Sequence, residues 1–375
     1  MKIIGVPKEV KNGEFRIGLT PESVKTLKKD GHTILVEHNG GKEIGFYDEE
    51  YISVGAEIID DCKEIYEKSD IIVKVKEPQK SEYNLIKKDQ IIFTYLHLAA
   101  EKELTNALLQ SGCTAIAYET ITDQHGHLPL LLPMSQIAGR LSVLVGAKFL
   151  QKGCGKYGIL LSEIAGVEAA KVTIIGGGIA GTNAANYAIG LGANVAIFDK
   201  SLHRIEELKN HYGMTANILH SNHSVLEKHV IESDLVIGAV LIPGLSAPRV
   251  VSESTVKKMK KGSVIVDIAI DQGGCIETSK PTTHDNPINE QHGVLHYGVM
   301  NMPSLVAKTA ALALNNYTLP FVQKIANSDN ILKTMKSDKH LANGLNVYSN
   351  QLICEAVGKS LNISVMDIKD ILNKI

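Results

Sequence analysis

The sequence predicts an α/β protein of two domains, each built on a mainly parallel sheet, separated by a cleft and bridged by two long helices. Short apolar, β-branched segments alternate with helical patterns in two separate stretches of the chain, which is typical of parallel sheets covered by helices. A length of 375 residues fits two domains of ~100–200 residues each. Two long helical patterns, beginning at Pro133 and Met302, follow the two stretches.

The first stretch, residues 1–130, predicts five strands and one clear helix start. Thr20 followed by Pro21 combines a capping hydroxyl with proline at the first helical position. The tail, residues 310–375, shows helical patterns without strands, and the helix from Met302 is expected to break near Pro320. Because such a tail makes a poor core alone, we expect it to pack on the first sheet. The predicted strands are Ile3–Val6, Thr33–Glu37, Ile71–Val75, Ile91–Tyr95 and Ala115–Tyr118.

The second stretch, within residues 131–309, contains the motif KVTIIGGGIAG at residues 171–181. A β-branched run leads into Gly176, Gly178 and Gly181, and a helical pattern follows. In such a strand–turn–helix the first glycine turns the chain, the second lets the backbone approach a pyrophosphate, and the third lets the helix pack closely. The motif predicts a Rossmann-like dinucleotide site. The alternative is a glycine-rich turn that binds nothing.

Asp199 indicates which dinucleotide this site would bind. It follows the next predicted strand, Asn194–Phe198, at the position where an acidic residue hydrogen-bonds the adenosine ribose. A carboxylate there favours NAD, because it would repel the 2′-phosphate of NADP. Arg204, a short distance further on, is a second candidate cofactor-binding residue and is the residue type that could accept that phosphate.

Composition argues against several other classes of protein. The formal net charge is −2 and no basic block is present, so neither nucleic acid nor a membrane surface is an expected partner. The five cysteines lack C-x-x-C spacing, so no disulfide framework or zinc site is expected and the cytoplasm is the natural location. The longest apolar stretch, residues 235–243, is about half the ~20 residues that a membrane helix needs.

Polar residues near the strand ends of the first stretch are candidates for chemistry, because ligands bind at the carboxyl ends of parallel strands. Arg16, in a loop before Pro21, could bind a substrate carboxylate, although a surface arginine is the alternative. Lys74 and Lys76 occupy alternate positions near a strand end and are expected to face the same side. Simple exposure to solvent would also explain both lysines.

His97 and two aspartates complete the set of candidates. His97 directly follows a predicted strand and suits proton transfer near neutral pH, although a core histidine or a helix cap is the alternative. Asp267 and Asp271 lie where the last strand of the second stretch ends. A carboxylate there could orient water, ammonia or a nicotinamide ribose, or could simply cap the loop.

Nine segments together resemble the alanine dehydrogenase family, whose nearest relative is the NAD-binding part of proton-translocating transhydrogenase. The likeness runs in register from residue 1 to about residue 320. The segments are IGVPKEVKNGEFRIGLTP (4–21), KVKEP (74–78), FTYLHLAA (93–100), AYET (117–120), PLLLPMSQIAGRLS (129–142), GGGIAG (176–181), LVIGAVLIPG (235–244), VDIAIDQGGC (266–275) and NMPS (301–304).

The resemblance implies reversible oxidative deamination of L-alanine to pyruvate and ammonium with NAD. It implies that Arg16 binds the substrate carboxylate, Lys76 the keto or amino centre, and Met134 another part of the substrate. His97 would be the general acid and base. Asp271 would position or activate water or ammonia.

The resemblance also implies the domain roles, the remaining cofactor contacts and the assembly. Residues 1–130 with 310–375 would form the substrate domain, and residues 131–309, including a bridging helix at 134–150, the NAD-binding domain. Lys324 and Ser328 stand where some relatives bind a metal, so no metal is predicted. A homohexamer is implied. The further cofactor contacts would be Ser135, Ser221, Val240, Leu241, Ile268, Asp271, Lys280, Val299, Asn301 and Met302.

Three other functions compete with alanine oxidation. A transhydrogenase subunit would pass hydride to a second nucleotide domain and would not need the set of Arg16, Lys76 and His97. An NAD-binding regulator would keep the cofactor site and lack turnover. A related dehydrogenase could act on a larger amino acid, since composition does not fix the volume of a pocket.

Overall fold

A computed structural model describes residues 1–240 and 247–373. The chain divides into two compact units. Unit 1 comprises Met1–Met134 and Ser304–Ile375, and unit 2 comprises Ser135–Pro303. Unit 2 is therefore one continuous segment inserted into unit 1, and each unit has its own Rossmann-like, mainly parallel sheet.

The N-terminal part of unit 1 alternates strands and helices, as predicted. The helix start at Thr20 and Pro21 is confirmed, because the Thr20 hydroxyl accepts the N–H of Ser23. The elements are β1 (Ile3–Val6), α1 (Pro21–Lys29), β2 (Thr33–Glu37), α2 (Asp48–Ser53), β3 (Glu57–Ile59), α3 (Cys62–Lys68), β4 (Ile71–Val73), β5 (Ile91–Thr94), α4 (Lys102–Ser111), β6 (Thr114–Ala117) and α5 (Leu132–Leu150), which runs on into unit 2.

Unit 2 begins within α5 and carries the glycine motif at its first strand. Two strands were not predicted, β12 and β13, which form an antiparallel pair at the sheet edge. The elements are β7 (Lys171–Ile175), α6 (Ile179–Gly190), β8 (Asn194–Asp199), α7 (Leu202–Tyr212), β9 (Asn217–His220), α8 (His223–Glu232), β10 (Leu235–Gly238), α9 (Glu253–Val256), β11 (Val264–Asp267), β12 (Ile288–Gln291) and β13 (Val294–Tyr297).

The tail returns to unit 1 and corrects two predictions. The long helix is not broken at Pro320, because buried Leu314, Thr318 and Val322 keep its inner face packed while Pro320 lies on the exposed face. The tail is also not purely helical. Its elements are α10 (Ala307–Ala326), α11 (Ile331–Ser337), α12 (Lys339–Ala342), β14 (Leu345–Tyr348), β15 (Gln351–Leu352), α13 (Glu355–Leu361) and α14 (Ile368–Leu372).

Both sheets have the same strand order in their parallel part. In unit 1 the described strands run β15-β14-β6-β5-β4-β1-β2-β3, with β14 antiparallel to β6. In unit 2 they run β12-β13-β11-β10-β7-β8-β9. The order thus reverses beside the first strand of each unit, between β1 and β4 and between β7 and β10. Ligands of open α/β sheets bind outside the carboxyl ends of the strands at such a reversal.

Apolar residues of the strands fill both faces of the sheet of unit 1. Ile4, Ile34 and Val73 belong to one buried cluster, while Leu35 and Ile72 belong to another. Alternate residues of a strand point to opposite faces, so strands covered on both sides are apolar throughout. A charged side chain at a strand end of this sheet therefore requires an explanation beyond the core.

Candidate functional site

The substrate-binding residues predicted in unit 1 follow neighbouring strands at the point where the strand order reverses. Arg16 follows β1, Lys76 follows β4 and His97 follows β5, and these strands pair in parallel. Their carboxyl ends therefore lie at one edge of the sheet. The structure brings these three predicted residues to the same edge.

Arg16 is almost completely buried, with 2% of its surface exposed. Its Nε and Nη2 donate to the two carboxylate oxygens of Glu14 at 2.7 and 2.5 Å, and its Nη1 lies 2.8 Å from the Sδ of Met134. Burial alone lowers the pKa of Arg16, but the Glu14 carboxylate outweighs burial and raises that pKa, so the guanidinium stays charged. The alternative interpretation of Arg16 as a surface residue is therefore wrong. Arg16 also contacts Met134, another predicted substrate-binding residue.

Lys74 and Lys76, which were predicted to face the same side of a strand end, differ in burial and in partners. β4 ends before Lys74, whose side chain is fully buried with Nζ 3.2 Å from Glu9 Oε2 and 3.0 Å from Glu82 Oε1. Lys74 is thus part of a buried ion-pair network. Lys76 is half-buried, and its carbonyl accepts a hydrogen bond from the Thr94 hydroxyl of β5 at 2.9 Å.

His97 lies three residues after the end of β5, is exposed, and has a left-handed backbone with φ of +50°. Such a conformation is uncommon for residues other than glycine and often marks functional sites. The Glu119 carboxylate accepts the N–H groups of Leu96 at 3.1 Å and of His97 at 2.6 Å. The rings of Tyr95 and His97 stack with centroids 5.9 Å apart. His97 is therefore neither a core histidine nor a helix cap.

Glu119 is a residue that sequence reasoning missed. It follows β6, the next strand of the same sheet, so its position at a strand end was a usable signal. What the sequence did not show is that its carboxylate reaches the backbone of the neighbouring strand end.

The three glycines of the motif in unit 2 meet three different steric requirements. Gly176 has φ of +102°, which glycine adopts without strain. A Cβ on Gly181 would lie 1.8 Å from the Gly176 carbonyl oxygen, whereas a Cβ on Gly178 would meet no atom within 4 Å. Gly178 is the N-cap of α6, so this open space lies at a helix N-terminus, where N–H groups and the helix dipole favour phosphate. The loop fits the pyrophosphate of a dinucleotide.

Asp199 and Arg204 both contact the glycine loop. Asp199 Oδ2 accepts the N–H of Gly177 at 2.8 Å. The Arg204 side chain donates from Nε to the Gly177 carbonyl at 2.8 Å, from Nη2 to the Thr182 hydroxyl at 3.0 Å and from Nη1 to Glu207 at 2.6 Å. The structure therefore brings these two predicted cofactor-binding residues together around Gly177.

Asp267 and Asp271 differ in burial and in partners. Asp271 is exposed on a short 3₁₀ turn after β11, and its carboxylate accepts the N–H of Asn301 at 3.2 Å. Asp267 is 1% exposed and accepts the N–H of Cys275 at 3.0 Å, and burial raises its pKa. Asp267 thus caps the following loop. Asp271 and Asn301, both predicted site residues, are brought together by their hydrogen bond.

The remaining cofactor-binding predictions are distributed over unit 2. Ser221, Val240 and Ile268 follow the carboxyl ends of β9, β10 and β11, and Ser135 lies on α5. Lys280 is exposed, whereas Val299 and Met302 are buried. Leu241 lies outside the described residues.

The candidate metal positions, Lys324 near the end of α10 and Ser328 just beyond it, have protein partners. Lys324 forms an ion pair with Asp338, and the hydroxyls of Ser328 and Thr334 lie 2.7 Å apart. Among residues 1–240 and 247–373, no group of three or more potential ligand side chains is arranged for a metal ion. In the same part of the chain, none of the helices has the length and apolarity needed to cross a membrane.

Two family models together match most of the chain. The model described as "Alanine dehydrogenase/PNT, N-terminal domain" matches residues 5–138, and "Alanine dehydrogenase/PNT, C-terminal domain" matches residues 142–355. Curated relatives agree with them. An alanine dehydrogenase of Staphylococcus epidermidis is 50% identical over 370 residues, covering 98% of this chain and 99% of the relative. An alanine dehydrogenase of Halomonas elongata is 47% identical over 369 residues, with the same coverage.

Solved structures give the same result. An L-alanine dehydrogenase superposes with a TM-score of 0.92 at 51% identity, covering 96% of this chain and 99% of that one. A transhydrogenase from Sinorhizobium meliloti superposes with a TM-score of 0.81 at 25% identity, covering 95% of this chain and 100% of that one.

Proposed function

The chain belongs to the alanine dehydrogenase/PNT family, and we propose that it catalyses the reversible oxidative deamination of L-alanine to pyruvate and ammonium with NAD. The observation that carries this proposal is the grouping of Arg16, Lys76 and His97 at one edge of the sheet of unit 1. Amino-acid oxidation requires a group that binds carboxylate, a cation at the reacting centre and a proton shuttle. Hydride transfer between two nucleotides requires none of these.

The glycine loop of unit 2 would hold the dinucleotide. Gly176, Gly178 and Gly181 allow the backbone to approach the pyrophosphate at the N-terminus of α6, and Asp199 would accept hydrogen bonds from the adenosine ribose. When bound, the nicotinamide accepts the hydride that leaves Cα of alanine.

NAD is favoured over NADP by the charges around Gly177. The Asp199 carboxylate lies against the Gly177 N–H and would repel a 2′-phosphate. Arg204, the nearby cation, already donates to the Gly177 carbonyl and to the Glu207 carboxylate. Its charge is therefore largely compensated before any phosphate arrives.

Arg16 and Lys76 would bind the two polar ends of the substrate. Glu14 fixes the guanidinium plane of Arg16, and Nη1, on the side of Met134, would donate to the carboxylate of alanine or pyruvate. Lys76 would place positive charge beside the oxygen that becomes the carbonyl of pyruvate, so it lowers the energy of a developing oxyanion.

His97 and Asp271 would handle protons and water. Loss of hydride from Cα leaves an iminium, which water must attack to give a carbinolamine before ammonium leaves. His97, exposed at the end of β5, would take a proton from the attacking water and return it to the carbinolamine nitrogen, which can then leave as ammonia. As the nitrogen leaves, His97 would take the proton from the carbinolamine oxygen, and this proton accounts for the ammonium finally released. Asp271, which is exposed after β11, would orient the water or the ammonia.

The test is NADH formation by the purified protein alone, without a membrane fraction. L-Alanine with NAD is expected to give the highest kcat/KM, with NADP much weaker and L-serine, L-valine and L-glutamate lower. Lys76→Met should lose turnover and retain NADH binding, whereas Lys80→Met, an exposed lysine paired with Glu103, serves as the matched control. NADH binding without turnover of any amino acid would favour a regulator, and preference for a larger amino acid would change the substrate.

We further propose a homo-oligomer, a hexamer by family resemblance, in the cytoplasm. The resemblance supports the assembly, and the five scattered cysteines support the location. Light scattering of the purified protein measures the assembly, and a monomeric mass would contradict it.

A further inference from the structure

Glu9 makes contacts that the catalytic roles above do not explain. It follows β1 and is 7% exposed. Its Oε1 accepts the backbone N–H groups of Val75 at 2.6 Å and of Lys76 at 3.3 Å, and its Oε2 lies 3.2 Å from the Nζ of Lys74. One carboxylate thus connects the loop after β1 to the segment after β4, across the reversal in strand order.

The segment that carries Lys76 needs this acceptor. Pairing between β1 and β4 ends at Ile72, so β1 supplies no carbonyl for the N–H groups of Val75 and Lys76. A buried N–H without an acceptor is destabilising. Glu9 replaces the missing strand partner, and its reach from β1 fixes where Lys76 leaves the sheet.

The neighbouring strand end is held in the same way. Glu119 accepts the N–H groups of two successive residues after β5, Leu96 and His97. Two adjacent parallel strands therefore each end in a proposed functional residue whose backbone N–H is bound by a carboxylate from another strand end. Such a repeated arrangement indicates a positioning device.

Glu9 also belongs to a buried ion-pair network. Lys74 lies between Glu9 and Glu82, and the Tyr66 hydroxyl donates to Glu82 at 3.0 Å. Glu82 also accepts the N–H of Gln79 at 2.8 Å. The network therefore explains why a lysine and two glutamates are buried together, since Lys74 compensates the carboxylate that faces the Lys76 backbone.

We propose that Glu9 is a positioning residue for Lys76, acting through the hydrogen bonds from the backbone N–H groups of Val75 and Lys76. The catalytic consequence rests on the proposed role of Lys76. Glu9 does not touch the substrate. It determines the direction in which the Lys76 side chain leaves the end of β4, and hence the position of its charge.

The deciding comparison is Glu9→Gln against Glu9→Met. Both variants remove the charge, leave Lys74 with Glu82 and keep a side chain of similar length, but Gln alone retains an oxygen that accepts an N–H. A displacement of a catalytic group by ~1 Å can cost about 100-fold in rate, so Glu9→Met should lower kcat/KM for L-alanine by about 10- to 100-fold. Glu9→Gln should stay within about 5-fold of the wild type, since it keeps the acceptor.

Two controls separate positioning from loss of fold. Glu82→Gln removes the other carboxylate of Lys74 without touching Val75 or Lys76, and should change kcat/KM by less than about 3-fold. NADH dissociation constants should be unchanged in every variant, because the glycine loop belongs to unit 2. If Glu9→Met does not fold, the Gln and Met variants are compared again with Lys74→Met added, which removes the ammonium that has lost one of its two carboxylates.

Equal losses in Glu9→Gln and Glu9→Met, or no loss in Glu9→Met, would overturn the proposal. Hydrogen exchange of a peptide that spans residues 74–79 gives a readout that does not depend on turnover. Faster exchange in Glu9→Met than in Glu9→Gln is expected, and equal exchange would also overturn it. A wild-type protein inactive with L-alanine would refute the proposed function and leave this exchange comparison standing.

Discussion

The two units carry their proposed functional groups at equivalent edges of similar sheets. Unit 2 uses backbone groups there, and unit 1 uses side chains. At the edge of unit 2 the proposed binding group is backbone: Gly178 is exposed and open to a ligand, while Gly176 and Gly181 shape the turn around it. At the edge of unit 1 the proposed binding groups are side chains, the buried Arg16 and the half-buried Lys76. The edge of unit 2 suits binding of a phosphate group that the reaction does not change. The edge of unit 1 suits chemistry that needs charge and protons.

The two edges are also stabilised differently. The loop in unit 2 is shaped by steric constraints within a few residues, with Asp199 from the next strand. In unit 1, Glu9 and Glu119 reach the backbone of neighbouring strand ends, about 66 and 22 residues away in sequence. The site of unit 1 therefore depends on contacts between distant parts of the chain. Unit 1 also buries charged groups beside opposite charges, as with Lys74 and Glu9.

The largest effect is expected where unit 1 supplies the proton shuttle. His97→Ala should lower turnover of L-alanine by about 10²- to 10⁴-fold, the usual contribution of a general acid and base. NADH binding, followed by fluorescence titration, should not change. His125→Ala, another exposed histidine of unit 1, is the control. A variant that loses NADH binding along with turnover would show that the two edges do not divide the work in this way.

A smaller effect is expected at the backbone edge of unit 2. Gly178→Ala should weaken NADH binding by at least tenfold, about 1.4 kcal/mol, because the new methyl group enters the proposed pyrophosphate site. The melting temperature should barely change, since the methyl meets no atom within 4 Å. Gly190→Ala, at the other end of α6 and equally open, is the matched control and should bind NADH normally. Normal binding by Gly178→Ala would place the pyrophosphate elsewhere.

Asp199→Ala tests whether a side chain also contributes at that edge. Removing the carboxylate should shift the ratio of NADPH to NADH affinity toward NADPH by about tenfold, because its repulsion of the 2′-phosphate is lost. NADH itself should also bind more weakly, since Gly177 loses an acceptor. Dissociation constants for both nucleotides measure the shift. An unchanged ratio would contradict the assignment of Asp199 to the ribose.

The smallest effect concerns how unit 2 buries a titratable group. His296 is 1% exposed and lies against Thr278 and Val294, and burial lowers its pKa. Between that lowered pKa and the ordinary value of about 6.5, the unfolded chain binds a proton that the folded chain does not. Stability should therefore fall with falling pH in this window, by up to ~1.4 kcal/mol per pH unit.

His296→Gln removes this titration, so its free energy of unfolding in urea should depend less on pH than that of the wild type. Equal pH slopes for the two proteins would mean that His296 takes up its proton in the folded state as readily as in the unfolded chain. Unit 2 would then bury a charge, as unit 1 does.

The alternation of strands and helices could be predicted because buried parallel strands are apolar throughout and helices have their own period. β14 could not, since its short segment becomes a strand through pairing with β6. The continuous helix through Pro320 was likewise missed, because packing of its inner face outweighs the local preference for a break. The burial of Lys74 was missed for a related reason. Its partner Glu9 is distant in sequence, and its partner Glu82 lies outside its strand.

The sequence by itself determined the Rossmann-like class, the glycine loop and the identity of the strand-end residues, because those features depend on local sterics and on the period of apolar residues. Tertiary structure alone decided that Arg16 is buried on Glu14 and Met134, and that Lys76 and His97 are held by Glu9 and Glu119. The physical reason is that hydrogen bonds and ion pairs depend on distance in space. The sequence around a carboxylate does not show which N–H group or cation that carboxylate will contact.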